Sequence, residues 1–123
     1  MDVLETLRRI CLALPEATER ISHGAPTWAV RDKRTFVTFA DHVHGDEHVA
    51  FWCPAPPGVQ EEMVAVEPER FFRPPYVGPS GWLGVRLDGP DVDWDEITEI
   101  VTEAYRCVAP KTLVARLGTV IDQ

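Results

Sequence analysis

The chain lacks most of the features that announce a reaction. Its three cysteines, Cys11, Cys53 and Cys107, are odd in number, widely spaced and form no CxxC pair, so neither a disulfide framework nor a zinc knuckle is supported. Cys11 and Cys107 fall on the apolar faces of predicted helices and are expected in the core, where a reduced thiol behaves as a small hydrophobe. No apolar run approaches the roughly 20 residues of a membrane helix. The acidic start Met1-Asp2-Val3-Leu4-Glu5 has none of the positive charge of a signal peptide's n-region. A cytoplasmic protein with no membrane partner is therefore expected. Repeats, linkers and low-complexity tracts are missing too, which leaves one domain over residues 1–123.

Catalytic signatures are equally scarce. There is no HExxH and no nucleophile elbow. Gly78-Pro79-Ser80-Gly81-Trp82-Leu83-Gly84 has the glycines of a phosphate loop but not its Lys-Ser/Thr, and it leads into a strand, so it reads as a turn. His23 stands beside Ser22, yet no orienting carboxylate or oxyanion hole is readable around the pair. His42, His44 and His48 are spaced among carboxylates between Asp41 and Glu47, a donor set that suits a divalent ion. A flexible turn preorganises such ligands poorly. No catalytic residue, metal or cofactor is assigned.

Positive charge is in short supply. Twelve basic against 20 acidic residues give a net charge of −8, and a chain this acidic repels a polyanion at long range. Nucleic-acid binding would need a locally basic patch, because its non-specific part comes from cations neutralising phosphates. Any such affinity is expected to be weak and largely independent of sequence.

What is present is a clear succession of elements. Asp2 and Glu5 have capping-box spacing ahead of an apolar stripe (Val3, Leu4, Leu7, Ile10, Cys11, Leu14) that Pro15 ends. Alternation then predicts strands at Thr18–Ser22, Thr27–Val30, Thr35–Ala40 and His48–Trp52, with Arg31-Asp32-Lys33-Arg34 as a tight hairpin tip. A short helix is expected near Val59–Val66, and strands at Phe71–Arg73 and Trp82–Leu87 flank a loop. Asp93 caps a long helix whose apolar positions include Ile97, Val101 and Tyr105, and Pro110 opens a last one, Lys111–Leu117. This order predicts an α+β two-layer sandwich, with helices on one face of an antiparallel sheet.

The segment Glu69–Asp88, ERFFRPPYVGPSGWLGVRLD, is the densest in information. It sets Phe71, Phe72, Tyr76 and Trp82 among Arg70, Arg73 and Arg86, with Trp52 joining if the fold brings it close. Guanidinium groups bind phosphate or carboxylate in a bidentate manner and aromatic faces stack on planar ligands. One reading is therefore a pocket of Tyr76, Trp82 and Arg86 for a small planar or anionic ligand, with Gly84 leaving room between Trp82 and Arg86. The alternative is structural: Phe71, Phe72 and Trp82 fill the core while the arginines pair with Glu69, Asp88 or Asp91.

The strings SHGAPTW (Ser22–Trp28), ERFFRPPYVG and GWLGVRLD (within Glu69–Asp88), DWDEI (Asp93–Ile97) and AYRCVAPKTL (Ala104–Leu113) resemble the YjbR family (MmcQ/YjbR-like) over nearly the whole chain. The resemblance implies a frataxin-like (CyaY-like) form of the sandwich and a double-wing DNA-binding module. On this chain the wing would be Arg31, Lys33 and Arg34, with Arg70, Arg73, Arg86 and Lys111 nearby. The expected function is a non-catalytic binding module, with DNA or a small ligand as partner.

Overall fold

The computed structural model describes residues 2–42 and 48–121, with side chains through Leu117. Helix α1 (Val3–Leu12) starts where the Asp2 carboxylate accepts the Glu5 N–H at 3.3 Å. Four strands follow as a meander: β1 (Ala17–Ser22), β2 (Ala25–Val30), β3 (Arg34–Asp41) and β4 (Val49–Cys53). Then come α2 (Val59–Val66), the two-residue β5 (Phe71–Phe72), a 3₁₀ turn at Gly78–Ser80, β6 (Leu83–Arg86), α3 (Trp94–Val108) and α4 (Lys111–Ile121). The six strands form one antiparallel sheet in the order β1-β2-β3-β4-β6-β5. The expected two-layer α+β arrangement holds, with the helices on one face of this sheet.

Period-two alternation decides which residues that face receives. Trp28 pairs with Val37, Phe39 with Phe51, Phe51 with Val85 and Val85 with Phe71. All of them are buried against Leu7, Cys11, Ile97, Val101, Ala104 and Tyr105 of α1 and α3. The β2–β3 ladder slips at Trp28/Ala29, so Phe36 and Val37 both turn into the core at that bulge. Phe36 meets the Tyr105 ring edge-on at 5.5 Å, and the Tyr105 hydroxyl donates to the Pro15 carbonyl at 2.7 Å. The far end of α3 is thereby fixed to the α1–β1 junction.

Cys11 and Cys53 are fully buried, and burial pushes both thiols up. Cys107 corrects the expectation of a third core thiol, because it is exposed. At about 100° per residue it falls outside the α3 stripe centred on Val101 and Val108.

One half-buried polar node borders this apolar layer. Glu19 on β1 accepts from Arg8 Nε at 2.8 and 3.1 Å and from the indole N–H of Trp28 at 2.9 Å. Trp28 is wholly buried, so its indole N–H depends on that acceptor. The Arg8 guanidinium, with the indole adding to it, holds the Glu19 carboxyl below its ordinary range. A carboxyl depressed by folding contributes stability above its unfolded pKa and loses it as pH falls through the folded value. Glu19→Ala is expected to lower the unfolding free energy by about 2 kcal/mol, the cost of an unsatisfied buried donor. Glu19→Gln, which keeps an acceptor, should cost less. Urea midpoints at neutral and acid pH check both, and the gap between wild type and Glu19→Gln should narrow on acidification.

Candidate nucleic-acid interface

Strand direction sorts the charged residues between the two ends of the sheet. Val30 pairs with Arg34 at the β2–β3 tip, Cys53 with Leu83 and Phe72 with Gly84. The tip, the start of β6 and the exit of β5 into Arg73 therefore lie at one end. Helix α3 finishes at this same end, since Tyr105 reaches Pro15 just ahead of β1, so Lys111 opens α4 there. Arg31, Lys33, Arg34, Arg73 and Lys111 share this end with Arg106 and Arg116. Carboxylates accompany them, among them Glu16, Asp32, Glu61, Glu62 and Glu103, and Glu99 lines a cleft with Arg106 and Arg116. The opposite end carries Asp41, Glu67, Glu69, Asp88, Asp91, Asp93, Asp95 and Glu96 against Arg70 and Arg86. The sheet thus brings together five of the seven cations proposed from the sequence and separates the other two.

At the tip, Arg31 and Asp32 form a two-residue turn with φ of 53° and 56°, closed by the Lys33 N–H on the Val30 carbonyl at 2.9 Å. This is the conformation whose twist matches a tight hairpin. Arg31 folds back onto Glu16 through two hydrogen bonds, of 2.9 and 3.2 Å, which hold the Glu16 carboxyl below its ordinary range. Asp32 is met by Arg20 at 3.1 Å. Lys33, Arg34, Arg73 and Lys111 are exposed, and among the described residues none of the four is in an ion pair.

At the other end Arg70 is held in ion pairs, while Arg86 makes none and its buried Nε has no partner among the described residues; neither meets the carboxylates the sequence suggested. Arg70 pairs with Glu67 at 3.1 Å and with Glu96 and lies 4.8 Å from the Phe71 ring centroid. Arg86 donates to the carbonyls of Pro68 and Glu69 at 2.9 and 3.0 Å. Its guanidinium sits 5.0 Å from the centroid of Phe72. The space at Gly84 is taken by that same Phe72 ring: a Cβ there would meet it at 2.5 Å. Gly84 therefore serves close side-chain packing and leaves no room for a ligand. Phe71 is in the core as expected, whereas Phe72 and Trp82 are half-buried. Register also sets Trp52 beside Gly84.

A cleft of about 490 Å³ next to Arg86 is lined by His48, Glu69, Arg70, Asp88, Asp91 and Ile97 among others, and neither Tyr76 nor Trp82 lines it. His48 Nδ1 lies 3.2 Å from both Asp88 carboxylate oxygens. Partial desolvation pushes the Asp88 carboxyl up, but the Val49 N–H and His48 outweigh it, leaving the group below its ordinary range. His42 contacts Asp41, and His44 lies outside the described residues. Among the described residues no group of three or more His, Cys, Asp or Glu is arranged to hold a metal. His23 occupies the first position of the β1–β2 turn with φ 52°, its Nδ1 3.2 Å from Ser22 Oγ.

Sequence reasoning missed Gln60. Buried at 6% exposure, its amide donates to the Gly78 carbonyl at 2.9 Å and to that of Trp82. It ties α2 to the loop between β5 and β6. A lone glutamine ahead of two glutamates gives no periodic signal that would mark it as inward-facing.

These features define an α+β module with a charge-sorted antiparallel sheet and a rigid aromatic loop at its more basic end. The family model described as YjbR matches residues 12–107, and the chain belongs to the YjbR family. The crystal structure of the Deinococcus radiodurans protein DR2400, described with family-model domain DUF419, is similar over 94% of this chain and 87% of that one. The TM-score is 0.72 at 19% sequence identity, a likeness of fold. No curated protein matches the chain. Among the described residues no helix is long and apolar enough to cross a membrane.

Gly84→Ala is expected to cost about 1–2 kcal/mol through overpacking against Phe72. Combining it with Phe72→Leu should recover part of that loss. Urea unfolding of the single and double variants checks the pair.

Proposed function

We propose that the chain is a cytoplasmic, non-catalytic binding module that takes nucleic acid at the tip end of its sheet. The observation that carries this reading is the sorting of charge: Lys33, Arg34, Arg73 and Lys111 stand exposed at one end, outside any ion pair among the described residues. The carboxylates from Glu67 to Glu96 are gathered at the other. An acidic protein can hold a polyanion only where such a patch exists. Family membership agrees with the reading, since DNA binding is the activity that the resemblance implies. The three unpaired cysteines suit a reducing compartment. The frataxin-like form of the sandwich belongs to the same proposal, supported by α1 and α3 lying together on one face of the sheet.

A small anionic ligand in the cleft beside Arg86 is the weaker reading. Arg70 is neutralised by Glu67 and Glu96, and Glu69, Asp88 and Asp91 repel an anion.

Contacts are expected with few phosphates, on the order of four, giving a slope of log K against log salt near −3.6 for duplex DNA. Affinity should therefore fall roughly 100-fold between 50 and 200 mM salt. Fluorescence anisotropy of a labelled duplex measures this, and a Lys33/Arg34→Ala variant should reduce the slope by about two. Absence of binding at low salt, or a slope unmoved in the variant, contradicts the proposal.

A further inference from the structure

The sheet has a second face. Every helix packs into the core on one side, through Leu7 of α1, Met63 of α2, Val101 of α3 and Leu113 of α4, and among the described residues no helix lies over the other side. Alternation from the buried Phe39, Phe51, Val85 and Phe71 assigns the intervening strand residues to this open face. One of its rows crosses all six strands. Arg20 stands opposite Thr27, Thr27 opposite Thr38 and Thr38 opposite Trp52, and Gly84 separates Trp52 from Phe72. Thr27 and the neighbouring alanines of this face, Ala29, Ala40 and Ala50, are buried, whereas Arg20 is exposed and Thr38, Trp52 and Phe72 are half-buried. The larger side chains therefore form its outer surface.

The chemistry of this face is unlike that of the rest of the chain. Of 20 acidic residues only Glu19 and Asp41 fall within strands, and register sets both on the helix side, opposite Trp28 and Val49. No strand position on the open face is a carboxylate, and two are arginines. Arg20 is met by Asp32 of the hairpin turn at 3.1 Å. Arg86 is in no ion pair among the described residues, and its guanidinium is held 5.0 Å from the Phe72 centroid by the Pro68 and Glu69 carbonyls. Strands β4 and β5 are about 9.5 Å apart across β6. The Phe72 ring closes that gap, since it lies over Gly84, beside Trp52. Two rings and a cation thus share the surface, and Thr38 stands four residues, about 13 Å, from Arg34 at the tip.

Resting on the nucleic-acid reading above, we propose that the open face takes a single strand, with bases stacked on Trp52 and Phe72 and the backbone running toward Lys33 and Arg34. Charge selects the occupant: a face with arginines and no carboxylate complements a polyanion. A second copy of this chain, docked face to face, would set these arginines against their own kind. The rings select the single strand. Inside a duplex both faces of each base are covered by neighbours, whereas unpaired bases stack on aromatic residues presented by a sheet. Stacking adds affinity that does not depend on charge, and the net −8 does not oppose it.

The test is anisotropy with a labelled oligothymidylate and a labelled duplex, using wild type, Trp52→Ala, Trp52→Phe, Thr38→Glu and Lys33/Arg34→Ala. At physiological salt the single strand should bind more tightly than the duplex. Trp52→Ala should weaken it about tenfold, while Trp52→Phe keeps most of the affinity. Thr38→Glu leaves both rings in place and sets a carboxylate opposite Trp52. It should weaken the single strand and leave the duplex, held at the tip, unchanged. Thermal unfolding checks each variant, and if Trp52→Ala does not fold, Thr38→Glu decides. Single-strand binding that survives Trp52→Ala and Thr38→Glu but falls in Lys33/Arg34→Ala would overturn the stacking face and leave the nucleic-acid reading standing. Failure of both oligonucleotides to bind at low salt would remove both. Dependence on Trp52 seen only in self-association, by sedimentation, would make the face a contact between copies and also overturn the assignment.

Discussion

The antiparallel register of the six strands is the constraint on which everything else depends. It is pinned by burial, because a slip of one residue would carry Phe39, Phe51 and Val85 out of the core together. The bulge opposite Trp28 is tolerated, and it lets Phe36 reach Tyr105. Once the register is set, the ends of the sheet are set too. Lys33, Arg34 and Arg73 emerge on one side, and Asp41, Asp88 and the acidic start of α3 on the other. Charge sorting thus follows from packing, without any run of basic residues in the sequence.

That geometry changes what a net charge of −8 means. Strand β3, at eight residues, separates the two ends by roughly 26 Å. The Debye length at physiological ionic strength is about 8 Å. A phosphate at the tip is therefore screened from most of the distant carboxylates and responds mainly to its immediate neighbours. Among those, Arg31 is neutralised by Glu16 and Asp32 is engaged by Arg20, so the local balance rests on a few exposed cations. This favours modest affinity supplemented by contacts that do not rely on charge.

The element order was legible because it depends on local signals. Asp2 and Asp93 cap their helices as their spacing implied, Pro15 follows the end of α1, and alternation placed the strands within a residue or two. The hairpin tip was visible as Arg31-Asp32-Lys33-Arg34 between two alternating runs. Contacts between distant segments were not legible. Nothing near Gly84 in sequence announces that the Phe72 ring fills its space. The pairing of Arg70 with Glu96 joins residues that only the packing of α3 brings together. Cys107 was misjudged because a helical stripe has an edge, and one residue at the margin decides between core and solvent. Gln60 and the left-handed backbone of Tyr76 were hidden for a related reason, since both follow from the conformation of a loop.

The central claim is that nucleic acid meets the tip end of the sheet, and amide shift mapping by NMR tests it most directly. Titrating labelled protein with DNA should move the resonances of Lys33, Arg34, the Arg73–Gly81 loop and Lys111. Those of His48, Asp88 and the start of α3 should stay in place. Shifts confined to the His48–Asp88 end, or none at all at low salt, would contradict the account.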